Sequence, residues 1–573
     1  MSGIFGILDP AGLDIDRLFD AVERSGSRGS PAVEGMGPWA VGILEDDRRG
    51  SSSILREPDS IALAWGRIDG SVATPEAPPD EGSAADVLVR AIRTRGPAGL
   101  EAIAADYAFA RVSRNGRVFL ARDAFGMRPL YWAREGDRMG FACHPDVLLR
   151  LGLITGDLDH DTIRRHLTLL APRGERTAFA GLQQVVGGRW VELRPDGESR
   201  GRWFRPERVR QDRTLPRVQA AEMFEQRLSA AVASRARGKV VLSLSAGRDS
   251  GTIAVMLAVA GVDAEAITLE FEGDEGSDER AGARELAEGV GIPWSTAFVS
   301  ASVTTDEIVR SVRVMGPTAF PAFPMALTIV DAAVSHGADV LMDGAGGEPL
   351  FSASPVVVVD LIRRGQLRDA ATCVRVYDRE WTYDAKFVVK TLARAIAPPS
   401  LLRLRERARE MTPWVEWGGP RPVEVEASRT ARGHLLASIL DYGRGDSSRL
   451  LQQLASDSDL EYSAPLLDLR LVDLALRLPD EQRAPLPHPK PVYAKVLGDF
   501  ERSRVKARQT GYFEHLARTL QRDHPEAFDI RGVLASTGFV RLQWLPAVAD
   551  DQWCIASLPL VPLSAWVQLT EEV

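Results

Sequence analysis

The stretch KVVLSLSAGRDSGTIA, residues 239–254, decides how the chain is read. Lys239 to Leu244 is an apolar, β-branched run of the kind that forms a short buried strand. Ser245, Ala246 and Gly247 then make a loop of small residues, and Thr252 onward has the composition of a helix. In a strand, tight loop and helix, small side chains let the backbone approach an anion, and the first helical amides point at it. The loop lacks the Gly-Lys-Ser/Thr ending of a Walker loop. It carries Asp249 and Ser250 instead, and an acid in a phosphate loop calls for a cation, so Asp249 is expected to hold Mg²⁺ against a pyrophosphate.

Ser245-Ala246-Gly247-Arg248-Asp249-Ser250 resembles the Ser-Gly-Gly-x-Asp-Ser loop of the ATP-pyrophosphatase superfamily, whose members activate a carboxylate or carbonyl as an adenylate. Ala246 and Arg248 depart from the commonest form. By this resemblance Ser245, Ala246, Gly247, Asp249 and Ser250 bind the nucleotide.

With 573 residues the chain is too long for one core. No apolar run reaches the ~18 residues of a membrane helix, and no signal-type leader opens the sequence, so a cytoplasmic location is expected. Cys143, Cys373 and Cys554 are far apart with no His or Cys at ligand spacing, which argues against a disulfide framework or zinc site. A net charge of −9 argues against a general nucleic-acid binder.

MSGIFGIL at the start resembles the Met-Cys-Gly-Ile-Phe-Gly opening of class II glutamine amidotransferases, with Ser2 where the nucleophilic Cys would stand. Arg28-Gly29-Ser30-Pro31 resembles that domain's Arg-Gly-Pro-Asp turn. ARDAFGMRPLYW, residues 121–132, is similar to its Arg-Asp-x-x-Gly-x-x-Pro-Leu-Tyr hairpin. Trp65, however, replaces an Asn that would stabilise an oxyanion, a loss of about 10² to 10³ in rate. Ala84 replaces a carboxylate that would hold the substrate's amine. Ser2, Trp65 and Ala84 together imply a domain that is structural and not catalytic. The resemblance thus implies an α+β amidotransferase-like (Ntn hydrolase-type) sandwich over residues 1–210. An α/β ATP-pyrophosphatase domain with a parallel sheet and a helical C-terminal extension follows over 215–573, entered by a helix near 216–228.

Within that second domain a strand is expected at 264–271, then SDER (277–280) and a helix to about Val290. Asp278 and Glu279 read as charges at a helix start, with any further role open. A helix at 325–336 and a strand at 339–342 lead into DGAGGEPLF, residues 343–351. This resembles the family's Thr-Gly-x-Gly-x-Asp-Glu-x-Phe loop, so Gly346 and Gly347 are expected against the nucleotide and Glu348 is expected to share the Mg²⁺ with Asp249. Pro465 and Asp468 mark a loop entering a helix, with Asp468 as cap. The family's late cationic loop falls at RVKARQTGYF, residues 504–513, where Lys506 and Arg508 are the candidate catalytic cations.

Several reactions share this architecture. Asparagine synthetases and β-lactam synthetases are two; the loop after Gly347 and the C-terminal helices look most like a third, the lasso peptide cyclases. Such an enzyme would adenylate an Asp or Glu side chain of a leaderless precursor peptide with ATP and Mg²⁺. It would close a macrolactam with the peptide's own N-terminal amine, alongside a leader peptidase and a leader-binding (RRE) protein. A decayed synthetase acting as a biosynthetic scaffold is the non-enzyme alternative.

Overall fold

A computed structural model describes residues 3–10, 15–23, 31–44, 52–74, 81–167, 174–273, 278–319, 323–381, 429–442, 449–501, 511–523 and 560–571, with isolated positions between 389 and 400. Strict alternation of apolar side chains governs the first part. Trp39, Val41 and Ile43, then Ile61, Leu63 and Trp65, then Ala108, Ala110 and Val112 all face one interior, as a two-residue period requires. The strands are β1 (Gly3–Leu8), β2 (Pro31–Met36), β3 (Trp39–Leu44), β4 (Ser52–Glu57), β5 (Ser60–Ser71), β6 (Ile103–Ser113), β7 (Val118–Arg122), β8 (Tyr131–Glu135), β9 (Arg138–Ala142), β10 (Leu182–Gln184), β11 (Arg189–Arg194) and β12 (Gly197–Arg202). They form two antiparallel sheets, ordered β10-β8-β9-β1-β3-β2 and β12-β11-β7-β6-β5-β4. Helix Ile15–Glu23 packs outside the first sheet through Leu18 and Val22. Helix Ala84–Arg95 covers the second through Ala85, Leu88 and Val89. The result is the helix, sheet, sheet, helix stack of an Ntn-type amidotransferase sandwich.

Helix Arg217–Arg235 leads out of the sandwich and runs seven residues beyond the 216–228 expected for it. Then come β13 (Val240–Ser243), β14 (Ala264–Phe271), β15 (Trp294–Val299), β16 (Val340–Met342) and β17 (Glu461–Ser463). All pairings are parallel, in the order β15-β14-β13-β16-β17. The chain winds outward from β13 to β15, then returns to β16 on the other side. Ligands of such sheets bind at the carboxyl ends of the two strands flanking that reversal, here β13 and β16. Helices Val357–Arg363, Leu367–Trp381, Ala431–Tyr442, Arg449–Asp457, Leu469–Arg477, Gly511–Asp523 and Leu560–Glu571, with shorter turns between, belong to the helical C-terminal part. None of the described helices is long and apolar enough to cross a membrane.

The two parts meet through buried charge. Arg67 on β5 pairs with Asp69, with Asp106 and, across the boundary, with Glu461 on β17. Arg128 reaches Glu461 at 3.0 Å. Arg235 at the end of its helix lies 2.8 Å from Asp69 and also pairs with Asp468, which Arg470 holds at 2.7 Å. Asp468 accepts from the Arg470 amide at 2.8 Å, so the expected cap is present and is also part of this network. Buried ions persist only when paired and hydrogen-bonded; here each domain supplies the other's counterions.

Candidate active site at the strand reversal

The loop after β13 is held by its own hydroxyls. The Ser245 amide donates to Ser250 Oγ at 3.1 Å, the two hydroxyl oxygens lie 3.0 Å apart, and the Gly247 amide donates to Ser245 Oγ at 3.0 Å. Helix Arg248–Val259 starts from Gly247, and no side chain caps it. That end of the helix is where its dipole favours an anion.

The loop after β16 lies directly against this one. A Cβ on Gly344 would come within 2.8 Å of Asp249 Cβ, and one on Gly347 would come within 2.0 Å of Asp249 Oδ1. Gly346 has φ +90, and a Cβ there would meet Leu467 at 2.3 Å. Gly347 therefore backs the Asp249 carboxylate, whereas Gly346 makes the turn and faces Leu467.

Asp249 and Glu348 do converge, and a side-chain cation stands between them. Lys490 Nζ lies 2.7 and 2.6 Å from the two Asp249 carboxylate oxygens and 2.9 Å from Glu348 Oε2. Where a metal was expected to bridge the acids, the structure therefore shows an ammonium bridging them. Burial works against the lysine's charge, but Asp249 and Glu348 outweigh it and raise its pKa. The Tyr493 hydroxyl donates to Asp249 Oδ1 at 2.8 Å, and its ring stacks on Phe224 at 4.6 Å. Lys490 itself sits at φ 49, ψ 65, a left-handed conformation uncommon for a long side chain, between Pro489 and Pro491.

Lys490 and Tyr493 went unread in the sequence because they lie more than two hundred positions from the loop they serve. The available signal was a lysine boxed between prolines just before the expected cationic loop. That loop's Lys506 and Arg508 lie outside the described residues, as do Ser2, Ser277 and Cys554.

Asp343, at the tip of β16, accepts from the Tyr462 hydroxyl at 2.9 Å and the Ala345 amide at 3.0 Å. Burial pushes its carboxyl up to about 6, with those two bonds pulling the other way. Asp278 is engaged by Arg280 in a two-pronged pair at 2.8 and 2.9 Å, the helix-start role expected of it. Glu279 has a carboxyl raised to about 6 by burial. In the first domain Trp65 is buried beneath the Arg128 guanidinium, 5.0 Å from its ring centroid. The helix at Ala84 begins with a Ser83–Asp86 capping box, so Asp86 is committed to its own helix. Cys143 and Cys373 are buried, with thiols raised to about 12 by burial.

Residues 223–528 match the family model for asparagine synthase, more than half of the chain. The chain belongs to the asparagine synthase family. Residues 80–204 match the glutamine amidotransferase domain. Asparagine synthetase [glutamine-hydrolyzing] 1 of Bacillus subtilis (strain 168) is 25% identical over 252 residues, which is 43% of this chain and 39% of that protein. The chain thus spans about two fifths of that curated relative. Among solved structures it is similar to the allosteric regulatory enzyme of purine biosynthesis, at 13% identity, covering 52% of this chain and 80% of that one with a TM-score of 0.26. Glutamine phosphoribosylpyrophosphate amidotransferase from B. subtilis gives 12%, 51%, 65% and 0.25.

In this asparagine synthase family member the donor set fits a magnesium ion. Mg²⁺ typically takes one or two protein carboxylates and completes its shell with phosphate oxygens and water. Asp249 and Glu348 already share one cation, the Lys490 ammonium.

Proposed function

We propose that this chain is an ATP-dependent, AMP-forming amide ligase whose substrate is a peptide, a lasso peptide cyclase. The observation that carries the reading is the Asp249–Lys490–Glu348 bridge beneath an uncapped helix N-terminus at the strand reversal. The loop from Ser245 to Ser250, held in shape by its own hydroxyls, would cradle the phosphates at the start of the helix behind it. Asp249 and Glu348 would hold Mg²⁺, which supplies neutralisation of pyrophosphate charge. Lys490 would turn its ammonium to the same phosphates and balance the charge left when pyrophosphate departs.

In the first half-reaction a carboxylate oxygen of the peptide bonds to the α-phosphorus, and the bond to pyrophosphate breaks. In the second the peptide's amine nitrogen bonds to the acyl carbon and AMP leaves with the carboxyl oxygen; the new amide keeps one N–H, and the amine's other protons pass to solvent. Holding amine and acyl group at attack distance contributes ~7 to 11 kcal/mol to such a step. Residues 1–210 would be a brace without glutaminase activity, and residues 215–573 the cyclase domain. Trp65 buried under Arg128 supports an amine that does not come from glutamine, which favours the cyclase over an asparagine synthetase. The intact phosphate cradle favours an enzyme over a scaffold.

The test is incubation with ATP, Mg²⁺ and a leaderless peptide bearing a free N-terminus and an internal Asp or Glu. AMP, pyrophosphate and a peptide lighter by one water are expected. ADP formation, or turnover of free amino acids only, overturns the assignment.

A further inference from the structure

A cavity of about 490 Å³ opens on the seam between the two domains, away from the strand reversal. Its floor is apolar. Leu469, Val472 and Leu476 back it, buried, from one face of helix Leu469–Arg477, and the apolar surface left open over them comes from Val72, just past β5, and from Ala73, Ala102 and Val209.

Its rim is cationic. Arg95, Arg205, Arg208 and Arg210 lie around the opening. Among the described residues the acids lining it are Glu101 and Asp473. Asp473 is already spent on Arg227 at 3.0 Å and Arg477 at 2.8 Å. Glu101 is left against four guanidinium groups, and burial raises its carboxyl although Arg208, Arg205 and Arg95 pull it down. A chain of net charge −9 thus concentrates uncompensated positive charge around an oily floor. Fixed backbone holds the opening: the Asp212 amide donates to the Arg477 carbonyl at 2.7 Å, and Gln211 reaches the Leu478 carbonyl at 3.1 Å.

A second cavity, of about 340 Å³, shares Arg95 and Ala102 with the first and continues along helix Ala84–Arg95 past Ser71, Thr74 and Arg90. A small anion would use the rim and leave the floor wet, and it would not span two adjoining cavities. Carboxylates interleaved with apolar side chains on an extended backbone match both.

We propose that this seam is the docking groove for an acidic, leucine-bearing peptide segment of a partner polypeptide. The opposite charges set orientation and on-rate, and the apolar anchors supply burial. The proposal stands independently of the reaction assigned above.

The probe is a fluorescein-labelled peptide, Glu-Leu-Glu-Glu-Leu-Glu, titrated with the full chain and followed by anisotropy. Saturable binding that weakens at high salt is expected. The double variant Arg208→Glu, Arg210→Glu, at exposed positions, should weaken it about tenfold or more. Arg95→Gln should weaken it less and serves as a second reading should the double variant misfold, which its melting curve would reveal. Binding that is absent up to millimolar protein, or equal in the variants, overturns the proposal. Displacement of the probe by millimolar inorganic phosphate overturns it in favour of a small-anion site.

Discussion

Lys490 Nζ sits 2.6 Å from Asp249 Oδ2, a contact between residues 241 positions apart in sequence that closes the carboxyl end of the parallel sheet. The ammonium is buried, and its partners Asp249 and Glu348 outweigh the cost of that burial. Lys490→Ala should lower AMP formation by about 10² to 10³, the usual cost of removing one preorganised donor from a site of developing charge. In the same variant Mg²⁺ alone should raise the melting temperature more than in the parent, because two neighbouring carboxylates have lost their internal cation. Equal Mg²⁺ shifts in both proteins would show that the acids do not share a metal.

Asp249→Asn and Glu348→Gln test the acids. Asp249, touched by Lys490, Tyr493 and the Gly347 backbone, should cost more when neutralised than the exposed Glu348. The double variant should fall short of the product of the two losses, since contacting residues couple by about 0.5 to 3 kcal/mol. Steady-state release of pyrophosphate reads all three.

Gly346→Ala should destabilise the chain. Its φ of +90 costs an L-residue about 1 to 2 kcal/mol, and the new methyl would also press on Leu467. Gly347→Ala should instead act on activity, by pushing Asp249 away from Lys490. Denaturant melts paired with AMP assays separate the two effects.

Acid should loosen the seam between the domains. Burial resists ionisation of Glu461, but Arg67 and Arg128 override it and pull its carboxyl down to about 2 from 4.5. Since the native value lies below the unfolded one, the folded state gains from this carboxylate above pH 4.5, and the gain is lost as pH falls toward 2. A shift of that size corresponds to about 3 kcal/mol. Glu461→Gln should lower stability at neutral pH and flatten the acid limb of the stability curve, measured by denaturant titration between pH 3 and 7, about the span over which the shift acts.

Asp343 has the opposite sign. Burial pushes its native carboxyl up from 3.8 to about 6, so the folded state loses stability as pH rises from 3.8 through 6, and the penalty is gone only below 3.8. Asp343→Asn should therefore raise the melting temperature at pH above about 7, with the gain shrinking through about pH 5 and little change below about 4.

The sandwich was legible because its residues speak locally: side chains alternating along β3, β5 and β6 declare a buried face without knowledge of the partner sheet. The phosphate loop was legible for the same reason, since Ser245, Gly247 and Ser250 bond to one another within six residues. Lys490 was not, because nothing near it in sequence needs a cation; the need arises only when the sheet brings β13 and β16 side by side. The salt-bridge seam was equally silent, since Arg67, Arg235 and Glu461 read as ordinary solvated charges until both domains are assembled. The same holds for the arginine groove, whose walls come from four separated segments.

β17 is three residues long and forms the margin of the synthetase sheet, yet its Glu461 is clamped by guanidinium groups from the sandwich. A truncation that dispensed with the sandwich would strip counterions from a carboxylate and bare a sheet margin together. The sandwich thus serves the neighbouring sheet as a fitted cover, apart from any chemistry of its own.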